Sequence, residues 1–149
     1  MCLAISDNRV LLAMKKKGFG QGRWNGAGGK VQEGESVEEA AVREMREEVG
    51  LEAGLTDLAK VGDIKFYFAD KPEFNQQMHI FLVKNWKGEP VESDEMRPKW
   101  FRHSEIPFGE MWIDDQYWLP KVLVGKKVEG TFYFKGGGES LDRHELNDI

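Results

Sequence analysis

Apolar residues recur along the chain at two different spacings, and the changes from one to the other mark out its elements. Leu3 to Ile5 reads as the end of a strand, Asp7-Asn8 as a turn and Arg9 to Met14 as a second strand. Further on the period lengthens. Val37, Ala41, Met45 and Val49 recur every four residues with Val42 beside them, which lays one apolar stripe along a helix. Ser36 opens an S-V-E-E run, so its hydroxyl and the Glu39 carboxylate can satisfy two free amides at the helix start, and Gly50 ends it. Leu58 to Lys60 and Ile64 to Phe68 predict two strands, the second alternating Ile64, Phe66 and Phe68 against Lys65 and Tyr67. Gln76 to Lys84 predicts another, with the Pro72-containing link from Asp70 to Asn75 as a hairpin connection. Glu92 to Pro98 reads as an acidic loop leading into an apolar segment at Trp100-Phe101. Asp114 can cap a helix running to about Val124, in which Pro120 is tolerable only near the first turn or as a kink. Val128 to Phe134 and Ser140 to Leu146, joined through Gly136-Gly137-Gly138, read as a closing hairpin. Short strands alternating with two helices fit an α/β (α+β) domain built on a mixed sheet.

Length and charge narrow the picture. The 149 residues fit one domain, long enough to bury roughly two thirds of its unfolded surface. Apolar residues at 40% exclude a disordered chain, and no apolar run approaches the length that spans a bilayer. The opening MCLAISDNRV lacks the basic start and apolar stretch of a secretory signal. Cys2, the one cysteine, permits no internal disulfide, so a reducing compartment is expected: the cytoplasm, with the nucleus or mitochondrion open. A net charge of −5 argues against nucleic acid polymers as partners, while a small polyphosphate can still bind through metal ions and a local basic cluster. No long amphipathic repeat stands out, so a monomer is expected.

Candidate chemistry centres on the predicted helix. Glu44, Glu47 and Glu48 stand at i, i+3 and i+4, which places three carboxylates on one patch of its surface. They occupy the last turns, where the helix dipole is negative and stability alone favours Lys or Arg. A hard divalent cation supplies a reason, since Mg²⁺ takes oxygen ligands from one or two carboxylates, water and substrate phosphates. The alternative is a solvated, charge-laced helix face. Upstream, Lys15, Lys16 and Lys17 run into Gly18-Phe19-Gly20, a basic loop that can face phosphates or remain an exposed turn. In Trp24-Asn25-Gly26-Ala27-Gly28-Gly29 the glycines let backbone approach a ligand, and a main-chain carbonyl of Gly28 or Gly29 is a candidate further metal ligand. His79, His103 and His144 lack ligand spacing and read as structural or exposed.

Counted out, Gly29, five residues, Glu35, seven residues, Arg43-Glu44, Met45, Arg46, Glu47-Glu48, Val49, Gly50, Leu51 resembles the Nudix box. The resemblance implies a mixed β-sheet core sandwiched between helices, and hydrolysis of a nucleoside diphosphate linked to another moiety. It implies Mg²⁺ as cofactor, with Mn²⁺ as a possible substitute. Carried onto this chain, it makes Glu44, Glu47 and Glu48 the metal-binding and catalytic carboxylates, Arg43 an orienting arginine and Glu35 a supporting acid. Glu48 is the expected direct ligand or base, and Arg43 and Glu47, at i and i+4, can pair to hold a rotamer.

Outside the box, MKKKGFGQGRWNGAGGKVQEGE, GEPVESDEMRPKWF and IPFGEMWIDDQYWLP are similar to the branch of the family that hydrolyses oxidised purine nucleoside triphosphates. That branch implies a substrate such as 8-oxo-dGTP or 2-hydroxy-dATP, cleaved to the monophosphate and pyrophosphate so that the nucleotide pool is sanitised. By position it makes Asn25, Trp112, Asp114 and Asp115 base-recognition residues, Phe66 and Phe19 pocket wall and Glu95 an additional acid near the metal; Lys15 of the basic loop is the candidate substrate contact beside them. Two adjacent carboxylates in an aromatic pocket cannot both ionise cheaply, so one of Asp114 and Asp115 should keep its proton, donating while the other accepts. The pair can equally be a doubled helix cap, and Trp112 and Trp118 can equally be core. Two other readings compete: the same chemistry on a nucleotide sugar, dinucleotide or capped RNA end, and a catalytically silent Nudix module that binds a ligand or partner. The chain also departs from the pattern. Val49 stands where a small polar residue is expected, the start falls inside the first strand, and the loop at Phe74 to Gln77 is one residue longer, so no pocket role is carried over there.

Overall fold

The computed structural model describes residues 1–149. Eight strands form one mixed sheet: β1 (Cys2–Ser6), β2 (Arg9–Lys15), β3 (Trp24–Asn25), β4 (Leu58–Phe68), β5 (Gln76–Val83), β6 (Met96–Arg102), β7 (Val128–Lys135) and β8 (Ser140–Asp148). Their order is β3-β2-β1-β5-β4-β7-β8, with β6 on the other edge of β2. β1 runs parallel to β5 and β4 parallel to β7, and the remaining pairs are antiparallel. β1 therefore lies mid-sheet, flanked by β2 and β5, which is where a five-residue strand can be stable.

Alternation along the central strands feeds two apolar layers. Leu3, Val10, Leu12, Ile80 and Leu82 face one side and join Trp118, Leu119 and Val122 of helix α2 (Asp115–Leu123). Cys2, Ala4, Leu11, Ala13, Phe81 and Val83 face the other and join Ala41, Met45 and Val49 of helix α1 (Val37–Val49). Each residue step along a strand switches face, so one strand packs against both helices. The architecture is a mixed sheet with a helix on each side. No helix is long and apolar enough to cross a membrane.

The ends of α1 follow from its sequence. Ser36 Oγ accepts from the Glu39 amide at 3.0 Å and the Glu39 carboxylate accepts from the Ser36 amide at 3.0 Å, a complete capping box. Gly50 adopts φ +77° and donates its N–H to Arg46 O at 3.0 Å.

Three expectations need correction. Leu58 to Phe68 is one strand, broken only by a register shift between Lys60 and Gly62. At Gly62 a Cβ would stand 2.8 Å from Ile80 Cδ1, so the missing side chain lets β5 approach closely. The acidic loop ends at Glu95, because Met96, Arg97 and Pro98 already pair with Lys15, Met14 and Ala13 of β2. Pro98 is tolerated because β6 is an edge strand. Finally, Asp114 precedes α2 without a side-chain capping bond, its carboxylate being engaged elsewhere.

Candidate active site

At the C-terminal half of α1 one guanidinium gathers three carboxylates. Arg43 Nε and Nη2 donate to the two oxygens of Glu35 at 2.7 and 3.0 Å, a two-pronged pair, and Nη1 donates to Glu44 at 2.7 Å and Glu47 at 3.2 Å. Nη2 also reaches Lys30 O at 3.2 Å, which ties the glycine-rich loop to the helix. Hydrogen bonds from Arg43 and then from the Gln32 amide hold the Glu35 carboxyl down to about 2. The i, i+4 pairing of Arg43 with Glu47 is present, but Glu47 is the outermost of the three.

Glu48 turns the other way. It is buried among apolar neighbours and its Oε1 accepts from the Gly28 amide at 2.9 Å. Burial, with the adjacent Glu44 charge adding to it, pushes its carboxyl up to about 7 against the pull of Gly28 N–H and Lys15. Gly29 lies directly against Glu44, where a Cβ would come within 2.6 Å of the carboxylate. No three His, Cys, Asp or Glu side chains converge on one point, because Arg43 draws Glu44 and Glu47 to itself while the Gly28 amide draws Glu48. The donor chemistry nonetheless fits a hard cation: two neighbouring carboxylates, one buried and destabilised in its charged form, beside glycine backbone. Glu95 stands apart, more than half exposed and linked to the site only through Lys15, 3.8 Å away.

From Glu48 a cavity of about 270 Å³ extends into an aromatic layer. Lys15, Phe19, Asn25, Phe66, Trp112, Asp114 and Asp115, drawn from five separate stretches of sequence, all line it, together with Gly28, Gly29 and Glu48. Asn25 Oδ1 accepts from the Gly26 amide at 2.9 Å, which leaves its NH₂ donors free. Asp114 and Asp115 are buried at 3% and 2% exposure. Trp118 Nε1 donates to Asp114 Oδ2 at 2.8 Å, so this carboxylate serves the cavity floor rather than the helix end, and Trp118 is core. Asp115 Oδ2 is buried with no hydrogen-bond partner. Burial raises Asp114 to about 6 despite the Trp118 bond, and burial plus the Asp114 charge holds Asp115 well above the usual carboxylate range. The two carboxyls therefore resist ionising together, and the pair as a unit releases its protons above the ordinary carboxylate range.

Several lining residues escaped the sequence reading. Phe66 and Phe68 stand in register with Phe132 and Phe134 across β4 and β7, so Phe68 and Phe134 join the wall, stacked 4.8 Å apart. The shared alternation of the two strands was the available signal, but it required knowing that they pair. The Phe74 to Gln77 loop, given no role above, in fact contributes: Gln76 and Gln77 line the cavity, and Phe74 stacks on Phe19 at 3.8 Å. Arg23 also lines it, with its guanidinium over Trp112. Of the histidines, His79 borders the cavity, while His144 stacks on Phe132.

Residues 1–122 match the NUDIX domain family, and the chain belongs to that family, whose hydrolases work with a divalent metal. Among its relatives, the oxidized purine nucleoside triphosphate hydrolase of Danio rerio is 48% identical over 149 residues, covering 100% of this chain and 93% of that protein. The protein of the same name from Mus musculus is 51% identical over 135 residues, covering 91% of this chain and 85% of its own length. The crystal structure of a MutT protein from Bacillus halodurans superposes with a TM-score of 0.85 at 25% identity, covering 98% and 94% of the two chains.

Proposed function

We propose that this chain hydrolyses oxidised purine nucleoside triphosphates, 8-oxo-dGTP and 2-hydroxy-dATP among them, to the monophosphate and pyrophosphate. The observation that carries the reading is the unpartnered Asp115 Oδ2, buried beside Asp114 in an aromatic cavity that runs on to Glu48. Oxidation at C8 turns the purine N7 from acceptor to donor and adds a carbonyl acceptor beside it. An ionised Asp114 accepts from such an edge, a protonated Asp115 donates to it, and the Asn25 NH₂ supplies a further donor. The indole face of Trp112 offers stacking area to the base.

Mg²⁺, or Mn²⁺ in its place, would be held by Glu44, Glu47 and Glu48 with backbone oxygens of Gly28 and Gly29, Glu95 lying outside this group, and would supply Lewis-acid neutralisation of the phosphate charge. Glu48, poised at about 7, is suited to accept a proton from an attacking water. Arg43, fastened to Glu35, fixes Glu44 and Glu47, and Lys15 presents positive charge toward the phosphates. The chain acts as a single domain over residues 1–149, as a monomer, on a small nucleotide in the cytoplasm.

Incubation with Mg²⁺ and a panel of 8-oxo-dGTP, 2-hydroxy-dATP, dGTP and a nucleotide sugar, with product identification, tests this. The oxidised purines should be consumed fastest, yielding monophosphate and pyrophosphate, with activity lost on chelation. Glu48→Ala should lower turnover by a factor of roughly a thousand or more while circular dichroism stays unchanged. Preference for the nucleotide sugar, binding without turnover, or near-normal Glu48→Ala activity at saturating Mg²⁺ would overturn the reading.

A further inference from the structure

Trp112 is held from several directions by residues of two loops and two strands. The Arg23 guanidinium carbon lies 4.1 Å from the centre of the indole, well inside the range of cation–π attraction. Arg23 Nη2 also donates to Glu139 Oε1 at 3.1 Å, tying the segment before β3 to the turn before β8. Two glycines with positive φ edge the ring: a Cβ on Gly20 would lie 3.4 Å from the indole, and one on Gly138 would overlap it. Phe68 and Phe134 meet it edge-on at interplanar angles of 78° and 74°.

We propose that Arg23, anchored by Glu139, is a positioning residue that sets the orientation of the Trp112 ring and through it the affinity for purine nucleotides. This rests on the reading of the cavity as a base site. Ring stacking is indifferent to the oxidation pattern, because every base has a π-face. Arg23 therefore governs KM for oxidised and unmodified purines alike, while Asp114 and Asp115 govern the ratio between them. Glu139 is 76% exposed, so its hold on Arg23 is screened by solvent and contributes least.

The test compares the unsubstituted chain with Arg23→Ala, Arg23→Lys and Glu139→Gln in steady-state kinetics on 8-oxo-dGTP and dGTP. Near-ultraviolet circular dichroism of each protein, with its Trp112→Phe counterpart subtracted, isolates the signal of this one indole. Arg23→Ala should raise KM for both nucleotides by roughly 3- to 30-fold and leave kcat within about twofold, with the selectivity ratio unchanged. The Trp112 signal should collapse in Arg23→Ala and partly return in Arg23→Lys, which restores a cation over the ring. Glu139→Gln should shift KM by about twofold at low salt and less at high salt. An unchanged KM, even with a lowered melting temperature, marks a merely structural residue and overturns the proposal. If the unsubstituted chain cleaves neither nucleotide, the functional reading fails separately. The indole signal then decides alone: its persistence in Arg23→Ala overturns the positioning, and its loss supports it.

Discussion

Asp115 shows how far a single residue's behaviour departs from its chemistry in water. Its carboxyl is buried, leaves one oxygen without a partner and sits against a second carboxyl, so its charged form is strongly disfavoured. The folded chain keeps protons on this pair that the unfolded chain releases at ordinary carboxylate values. The pair's contribution to stability is therefore fully present at low pH and declines as pH rises through about 6 for Asp114 and further for Asp115. Asp115→Asn mimics the protonated form. Its melting temperature should rise relative to the unsubstituted chain as pH increases from 5 to 8, while the preference for 8-oxo-dGTP over dGTP falls roughly tenfold. A melting difference that is flat with pH would refute the retained proton, and an intact preference would remove the pair from base recognition. The raised pKa of the aspartates was legible from the adjacency of the two. Their unequal surroundings were not, because these depend on Trp118 reaching Asp114 from the next helical turn.

Among the elements, α1 is the most fully written in local sequence. Its start and stop follow from spacing and the structure reproduces both; of the apolar stripe Val37, Ala41, Met45 and Val49 pack on the sheet, whereas Val42 joins neither layer and Ala40 and Glu48 are buried in its stead. Ser36→Ala removes one half of the capping box and should cost about 1 kcal/mol, seen as a melting temperature lower by a few degrees, with kcat/KM at 25 °C little changed. An unaltered melting temperature would show that packing against the sheet alone sets the helix start. Strands were less legible. The runs Leu58 to Lys60 and Ile64 to Phe68 belong to one strand, and the first three residues of β6 fall inside the expected acidic loop, because charge and Pro98 mask their pairing with β2. A strand's identity lies in its partners, and those partners are remote in sequence.

At the scale of the whole molecule, the sheet order brings the chemistry together. β1 occupies the middle of the sheet although it comes first in the chain, and its Leu3 is buried at 1% exposure in the layer that backs the cavity. Leu3→Ala should destabilise the fold by about 2–5 kcal/mol in denaturant unfolding, since a close-packed site cannot fully collapse around the lost volume. A cost below about 1 kcal/mol would mean that β1 contributes little to the core.

By itself the sequence determined whatever depends on spacing within one element: the capped helix, the three glutamates on one of its faces and the adjacent aspartates with a shared proton. Such interactions reach only a few residues along the chain, so the period of the helix is enough to place them. The tertiary structure alone decided that Glu48 and the aspartates, far apart in sequence, border one cavity. It also decided that Arg43 gathers Glu35, Glu44 and Glu47 while Glu48 turns to Gly28, and that Arg23 rests on Trp112. Those contacts exist only once β4 lies between β5 and β7 and helices cover both faces of the sheet. The pattern along the chain does not specify that order, because alternation tells each strand which faces to bury without naming its neighbours.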